Sequence, residues 1–281
     1  MILSTDSTAN LPSELYSKLN ISMIPMKIIL DGKTYDDLSE ELPIEEYYRK
    51  MKEGNIPSTA QVNEFDAREY FEKLLEKKQD ILHVGFSSAL SGSLSTLKRV
   101  AAELNETHEN KIVVVDSLNA SCGEGMLVLY AHELIEQGKP IEEIAKLVEE
   151  KVPYAKSYFT IEQLKYLVKG GRVGKFSGVL GTILNVKPVL TVDGNGRLVS
   201  YKKIISRKKS IAEMENIVAE QIDENSSIMI THAMCLQEAQ EFAENLKSRL
   251  NKQPIITDLT QVIGCHTGPG LIAVFFFKKE N

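Results

Sequence analysis

Short apolar runs alternate along this chain with longer stretches in which apolar residues return at helical spacing. The runs read as buried strands and the stretches as helices with one apolar face, so their alternation predicts a parallel sheet covered by helices. Strands are predicted over 1–4, 22–30, 81–86 and 111–116, and helices over 44–52, 64–77, 93–104, 124–137 and 141–151. Pro153 interrupts the pattern. A second unit begins near Ala155, with strands over 157–160, near 188–192, and over 197–205, 226–231 and 271–277. Its helices are predicted over 161–169, 208–222 and 236–250.

With 281 residues, 43% of them hydrophobic, the chain can bury a core in each of two domains, assigned to 1–154 and 155–281. A net charge of -6 argues against nucleic acid as the partner, because neutralising a phosphate backbone requires a basic face. Cys122, Cys235 and Cys265 are far apart with no CxxC spacing, which fits a reducing compartment. His83, His108, His132, His232 and His266 show no metal-ligand spacing, and His132-Glu133 lacks the second histidine of HExxH. No metal is expected. No stretch approaches the roughly 18 apolar residues of a membrane span, and the expected location is the cytoplasm.

Candidate chemistry gathers in two glycine-bearing polar loops. SSALSGS at 87–93 follows a predicted strand and opens a predicted helix, so free N–H groups, the helix dipole and the hydroxyls of Ser91 and Ser93 face whatever sits above the strand end. That is an anion site, or simply a serine helix cap. GCHTGPG at 264–270 precedes the last strand, with His266 as its one titratable side chain in backbone open to close approach. A third segment runs from 164 to 190. Gly170 and Gly171 cap its helix and Arg172 stands at the end of the turn. Beyond it Val179, Leu180, Ile183 and Leu184 are interspersed with glycines, either as core or as the wall of a long apolar ligand site.

Two other classes fit parts of this pattern. GFSSA at 85–89 lies near the GxSxG elbow of a serine hydrolase, with Asp258 and His266 following in the α/β-hydrolase order, but Ala89 replaces the last glycine and no HGGG segment precedes it. Ser87, Asp258 and His266 are its candidate triad. A nucleotide or sugar-phosphate module would also use the loop at 87–93. Against it, the chain has no GxxxxGK[ST] loop, and GEG at 123–125 lacks the third glycine of a dinucleotide turn.

The ordered motifs STDSTANLP (4–12), DGKTYDD (31–37), PSTAQ (57–61), SSALSGS, VDSLNASCGEG (115–125), LKYLVKGGRVG (164–174), LNVKPVL (184–190) and HTGPG (266–270) resemble the DegV family along nearly the whole chain. These are bacterial proteins that bind one fatty acid and serve as the acyl-carrying subunit of a fatty acid kinase. The resemblance implies an N-terminal parallel-sheet, Rossmann-like domain, a C-terminal α/β domain with a mixed sheet, and a ligand tunnel at their junction. Thr59 matches the carboxylate-binding threonine of the family's TSQP motif, and Ser91, Gly92 and Ser93 match its LSGT loop. His266 matches the histidine near the carboxylate and Arg172 the GGR arginine facing the partner or its phosphate; Val179, Leu180, Ile183 and Leu184 stay candidates for the wall of the implied tunnel. Ala60, Val62 and Ser93 depart from the usual serine, proline and threonine. The resemblance further implies no catalytic residue and no cofactor on this chain. The fatty acid is its ligand, a separate kinase subunit brings ATP, and contact with a membrane surface is transient. The basic run at 207–209 is a candidate, with Arg172, for meeting an acidic kinase surface.

Overall fold

Pro25 decides the layout of the N-terminal half. The computed structural model, which describes residues 1–172 and 187–280, divides the predicted strand 22–30 there. Before it, β1 (Ile2–Asp6), α1 (Ser13–Lys18) and β2 (Ser22–Ile24) start a parallel sheet; after it, β3 (Lys27–Leu30) turns into a separate antiparallel one. Proline has no N–H to donate, so a strand crossing it loses its ladder. β3 pairs with β4 (Lys33–Asp36) across the two-residue turn Asp31-Gly32 and, after α2 (Ile44–Lys52), with β5 (Ser58–Ala60) on its other edge. The chain continues through α3 (Glu64–Leu75), β6 (Ile81–Gly85), α4 (Ser93–Asn105), β7 (Ile112–Asp116), α5 (Cys122–Glu136) and α6 (Ile141–Lys151). The parallel sheet has the order β2-β1-β6-β7. β1 and β6 are buried along their whole length, as inner strands covered on both faces must be.

The second sheet is built from β8 (Ala155–Thr160), β9 (Val189–Val192), β10 (Leu198–Lys202), β11 (Met229–His232), β12 (Ile255–Asp258) and β13 (Ile272–Phe277), in the order β10-β9-β8-β13-β11-β12. Only β11 and β12 are parallel, so the sheet is mixed. Its helices are α7 (Lys165–Lys169), α8 (Arg207–Gln221), α9 (Leu236–Leu250) and α10 (Gln261–Thr267). β13 shows why its sequence is so apolar. Ile272, Val274 and Phe276 pack with Met214, Ile217 and Phe242 beneath α8 and α9, while Ala273 and Phe275 join the core shared with the N-terminal half. Alternate residues of a strand point to opposite faces, and here both faces are covered.

Two buried polar clusters tie these layers together. Asn10 donates from Nδ2 to Thr257 Oγ1 (2.9 Å) and the Asp258 carbonyl (3.0 Å), and its Oδ1 accepts the Thr260 N–H (2.8 Å). Beneath it lie the fully buried carboxyls of Asp6 and Glu124. Thr5 donates its hydroxyl to the Val84 carbonyl (2.7 Å), Thr8 donates to Asp6, and both hydroxyls also lie within hydrogen-bond reach of the Glu124 carboxyl (3.1 and 2.9 Å). Burial, followed by the nearby Asp6 carboxylate, pushes the Glu124 pKa well above the usual carboxylate range.

Candidate functional site

A cavity of about 320 Å³ lies between the two halves. Its walls are largely apolar. Phe86 and Ala120 come from the ends of the parallel strands, Phe159, Ala273 and Phe275 from the inner face of the mixed sheet, and Ile263 from α10. At its polar end stand Thr59 on β5, Ser91 and Gly92 before α4, Arg172 after α7, and His266 in the last turn of α10. Residues separated by as many as 207 positions thus meet: Thr59 Oγ1 and His266 Nε2 are 2.9 Å apart.

The placement of His266 corrects the expectation of a loop. Residues 261–267 form α10, and only 268–270 turn into β13. The helix starts where Asp37 Oδ1 accepts the N–H groups of Gln261 (3.0 Å) and Val262 (3.2 Å). Gln261 in turn reaches the Leu42 carbonyl (2.7 Å) and the Leu38 N–H (3.1 Å). The capping carboxylate therefore belongs to a distant segment, and no local cap signals the helix. On its far side His266 packs against Gly170, where a Cβ would come within 2.1 Å of Nδ1. A side chain there would displace the ring. Burial lowers the imidazole pKa to about 4, with the positive charge of Arg172 adding to the effect, so His266 is neutral at pH 7. With its proton on Nε2 it donates to Thr59 Oγ1, and the threonine hydroxyl then points its own proton at an acceptor in the cavity.

Ser91 Oγ accepts the Ser93 N–H (3.2 Å) and lies 3.0 Å from Ser93 Oγ. Gly92 lets this loop press against Gln61, whose Oε1 would be 2.1 Å from an added Cβ. Arg172 spans two segments, donating from Nε to the Leu90 carbonyl (3.2 Å) and from Nη1 to the Gly170 carbonyl (2.5 Å). A cationic group is thereby held at the rim beside the hydroxyls.

Other expectations need correction. Ser93 does not line the cavity: it is fully buried and its Oγ accepts the Val62 N–H (3.0 Å), tying the start of α4 to the segment after β5. It positions Ser91 and Thr59 relative to each other. The hydrolase triad is not assembled. Ser87 is buried with its hydroxyl donated to the Gly196 carbonyl (2.9 Å), Asp258 sits 3.4 Å from His232, and His266 is engaged by Thr59. The strand-end serine is used to hold the β9–β10 turn. Arg207 is largely taken up by Glu238, with bonds of 2.7 and 3.0 Å, and does not stand free for a partner. Val179, Leu180, Ile183 and Leu184 lie outside the described residues. Sequence reasoning passed over Gln61, Ser121, Ser157, Phe159, Ala273 and Phe275 as cavity residues. The alternation along 157–160 and 271–277 was the available signal for the last three.

Among the described residues no cluster of His, Cys, Asp and Glu could hold a metal ion, and no helix is long and apolar enough to cross a membrane. An α/β protein with a parallel sheet, a mixed sheet and an apolar cavity closed by hydroxyl, imidazole and guanidinium groups is the class that fold and site define. Within it, the profile described as "Uncharacterised protein, DegV family" matches residues 2–279, and the chain belongs to that family. A DegV domain-containing protein of Clostridium perfringens is 35% identical over 280 residues, covering 98% of this chain and 96% of the relative. Among solved structures, a fatty acid binding DegV family protein from Thermus thermophilus is 30% identical with a TM-score of 0.89, and 99% of each chain is covered. DegV from Bacillus subtilis, a fatty acid binding protein, is 29% identical with a TM-score of 0.86 and the same coverage.

Proposed function

We propose that this chain binds a long-chain fatty acid in the cavity and presents its carboxylate to a separate ATP-dependent kinase that forms the acyl phosphate. The observation that carries the reading is the Thr59–His266 pair, 2.9 Å apart, at the polar end of an otherwise apolar hollow. The fatty acid binding of the Thermus and Bacillus relatives supports the ligand class. About fifteen methylenes at about 0.8 kcal/mol each offer on the order of 12 kcal/mol gross, before ordering costs. The carboxylate would lose several kcal/mol on leaving water unless hydrogen-bonded. Thr59, Ser91 and the backbone at Gly92 offset that loss, and neutral His266 fixes the threonine hydroxyl without adding charge.

The absence of a GxxxxGK[ST] loop from this sequence supports placing phosphoryl transfer on a separate subunit. ATP therefore arrives on the partner. Arg172, at the rim rather than deep in the cavity, is suited to face the transferred phosphate or the kinase. The reading takes 1–154 and 155–281 as two domains that close on the ligand. It places the protein in the cytoplasm, in keeping with three free thiols, and has it touch a membrane surface only in passing, to exchange lipid.

Native mass spectrometry of the purified protein tests this directly. A retained mass matching a long-chain fatty acid is expected, exchangeable for added hexadecanoate. A nucleotide adduct, or failure of the delipidated protein to take up hexadecanoate, refutes it.

A further inference from the structure

A second cavity, a cleft of about 540 Å³, is lined by residues of both halves of the chain and by none of the polar groups around Thr59 and His266. Three lysines from three elements face it: Lys98 of α4, Lys156 of β8 and Lys278 just after β13. Among the described residues none of the three ammonium groups is in an ion pair or a hydrogen bond. The Lys278 ammonium lies over the Tyr154 ring, 5.5 Å from its centre, and has no closer polar partner.

The register of β8 and β13 brings two of these cations together. Lys156 stands directly opposite Phe276, and the ladder runs on as the Lys278 N–H meets the Tyr154 carbonyl (2.9 Å). Residues two apart share a face of a sheet, so Lys278 lies diagonally across from Lys156 on the same side. Both are half-buried. Burial, and after it the charge of Lys278, hold the Lys156 pKa below the ordinary lysine value. The carboxylates of the cleft do not neutralise the pair. Asp116 Oδ1 accepts the N–H groups of Leu118 (2.9 Å) and Ser88 (3.3 Å), and Asp193 Oδ1 accepts those of Asn195 (2.9 Å) and Arg197 (3.0 Å). Glu149, the third, forms no ion pair among the described residues. Like charges placed side by side repel, and an anion shared between them removes that cost.

We propose that this cleft binds a small organic phosphate monoester, with its phosphate on Lys156 and Lys278, Lys98 as a third cation, and its less polar body against Leu118, Val152 and Pro153. Lysine ammonium groups suit a phosphate as point charges, and each supplies three donors. The apolar residues beside them favour an organic ester over the bare ion. The cleft's volume falls within the range of about 300–1,000 Å³ usual for small-molecule sites. The inference does not rest on the fatty-acid reading of the other cavity.

The experiment is titration calorimetry of phenyl phosphate and of inorganic phosphate into the full chain. Phenyl phosphate is expected to bind at a single site with a dissociation constant below about 1 mM, and inorganic phosphate at least about threefold more weakly. Lys156→Gln and Lys278→Gln should each weaken phenyl phosphate about tenfold, as the loss of one charge-assisted hydrogen bond gives. Lys156→Arg keeps the charge and should bind within about threefold of wild type. Without phosphate, both glutamine variants should unfold at or above the wild-type temperature, because the repulsion is gone. No binding of phenyl phosphate at about 10 mM overturns the inference, as does wild-type affinity in both glutamine variants. Inorganic phosphate binding as tightly as the ester overturns it too, since the apolar wall then has no role. Glutamine variants that unfold well below wild type would show the lysines to be structural, which also refutes it.

Discussion

Thr59→Val removes the threonine hydroxyl while keeping its shape and its suitability for a strand. Thr59 lies on β5 opposite Ile28, so the backbone pairing that holds the strand is untouched. Two things are lost: a donor to the ligand carboxylate and the 2.9 Å partner of His266 Nε2. A hydrogen bond to a charged group contributes about 1.5–3 kcal/mol, so the dissociation constant for hexadecanoate should rise by about 10- to 150-fold. Stability of the ligand-free protein should fall by only about 1 kcal/mol, the worth of a neutral bond in a half-buried position. Thr59→Ser restores the hydroxyl and should recover binding to within about threefold. Titration calorimetry on delipidated protein measures the affinity, and circular dichroism checks the fold. If Thr59→Val binds within about twofold of wild type, the carboxylate does not sit at Thr59, and the assignment of the polar end is wrong.

Gly170→Ala tests the packing behind the imidazole: the backbone there is helical and tolerates alanine, but the new methyl would overlap His266 Nδ1. Fatty acid affinity should fall about tenfold, as about 1.4 kcal/mol gives, without loss of the fold; unchanged affinity refutes the supporting role. Asn10→Ala severs three hydrogen bonds between the halves and should lower the urea unfolding free energy by about 2–4 kcal/mol; a change below about 0.5 kcal/mol would show that Asn10 does not tie them. His266 has its folded pKa lowered to about 4 from an ordinary value of 6.5, so the unfolded chain binds more protons between these values. Its contribution is present above about pH 6.5 and lost as pH falls toward 4. The wild-type stability advantage over His266→Gln should shrink across that window, by up to about 3 kcal/mol; a pH-independent difference refutes the buried neutral imidazole.

Elements with local signals were legible in the sequence. The predicted 141–151 and 236–250 coincide with α6 and α9, because an apolar face recurs through each and its ends are marked nearby. Elements fixed by distant partners were not. α10 begins on the carboxylate of Asp37, and β5 is a strand because β3 lies beside it, neither of which a window of neighbours reveals. The Asp31-Gly32 turn was a hairpin signal within a motif read only for its resemblance. At the site, Thr59, Ser91, Gly92, Arg172 and His266 do come to one end of the cavity. Ser93 does not, since adjacent hydroxyls at a helix start point different ways.

β13 lies between β8 and β11, with Ala273 and Phe275 turned toward the cavity. It is also the last of the described strands to leave the ribosome. A nascent chain lacking residues 272–277 has β8 and β11 unjoined and one wall of the hollow missing. The hollow is therefore enclosed only after this strand has paired on both its edges, late in assembly.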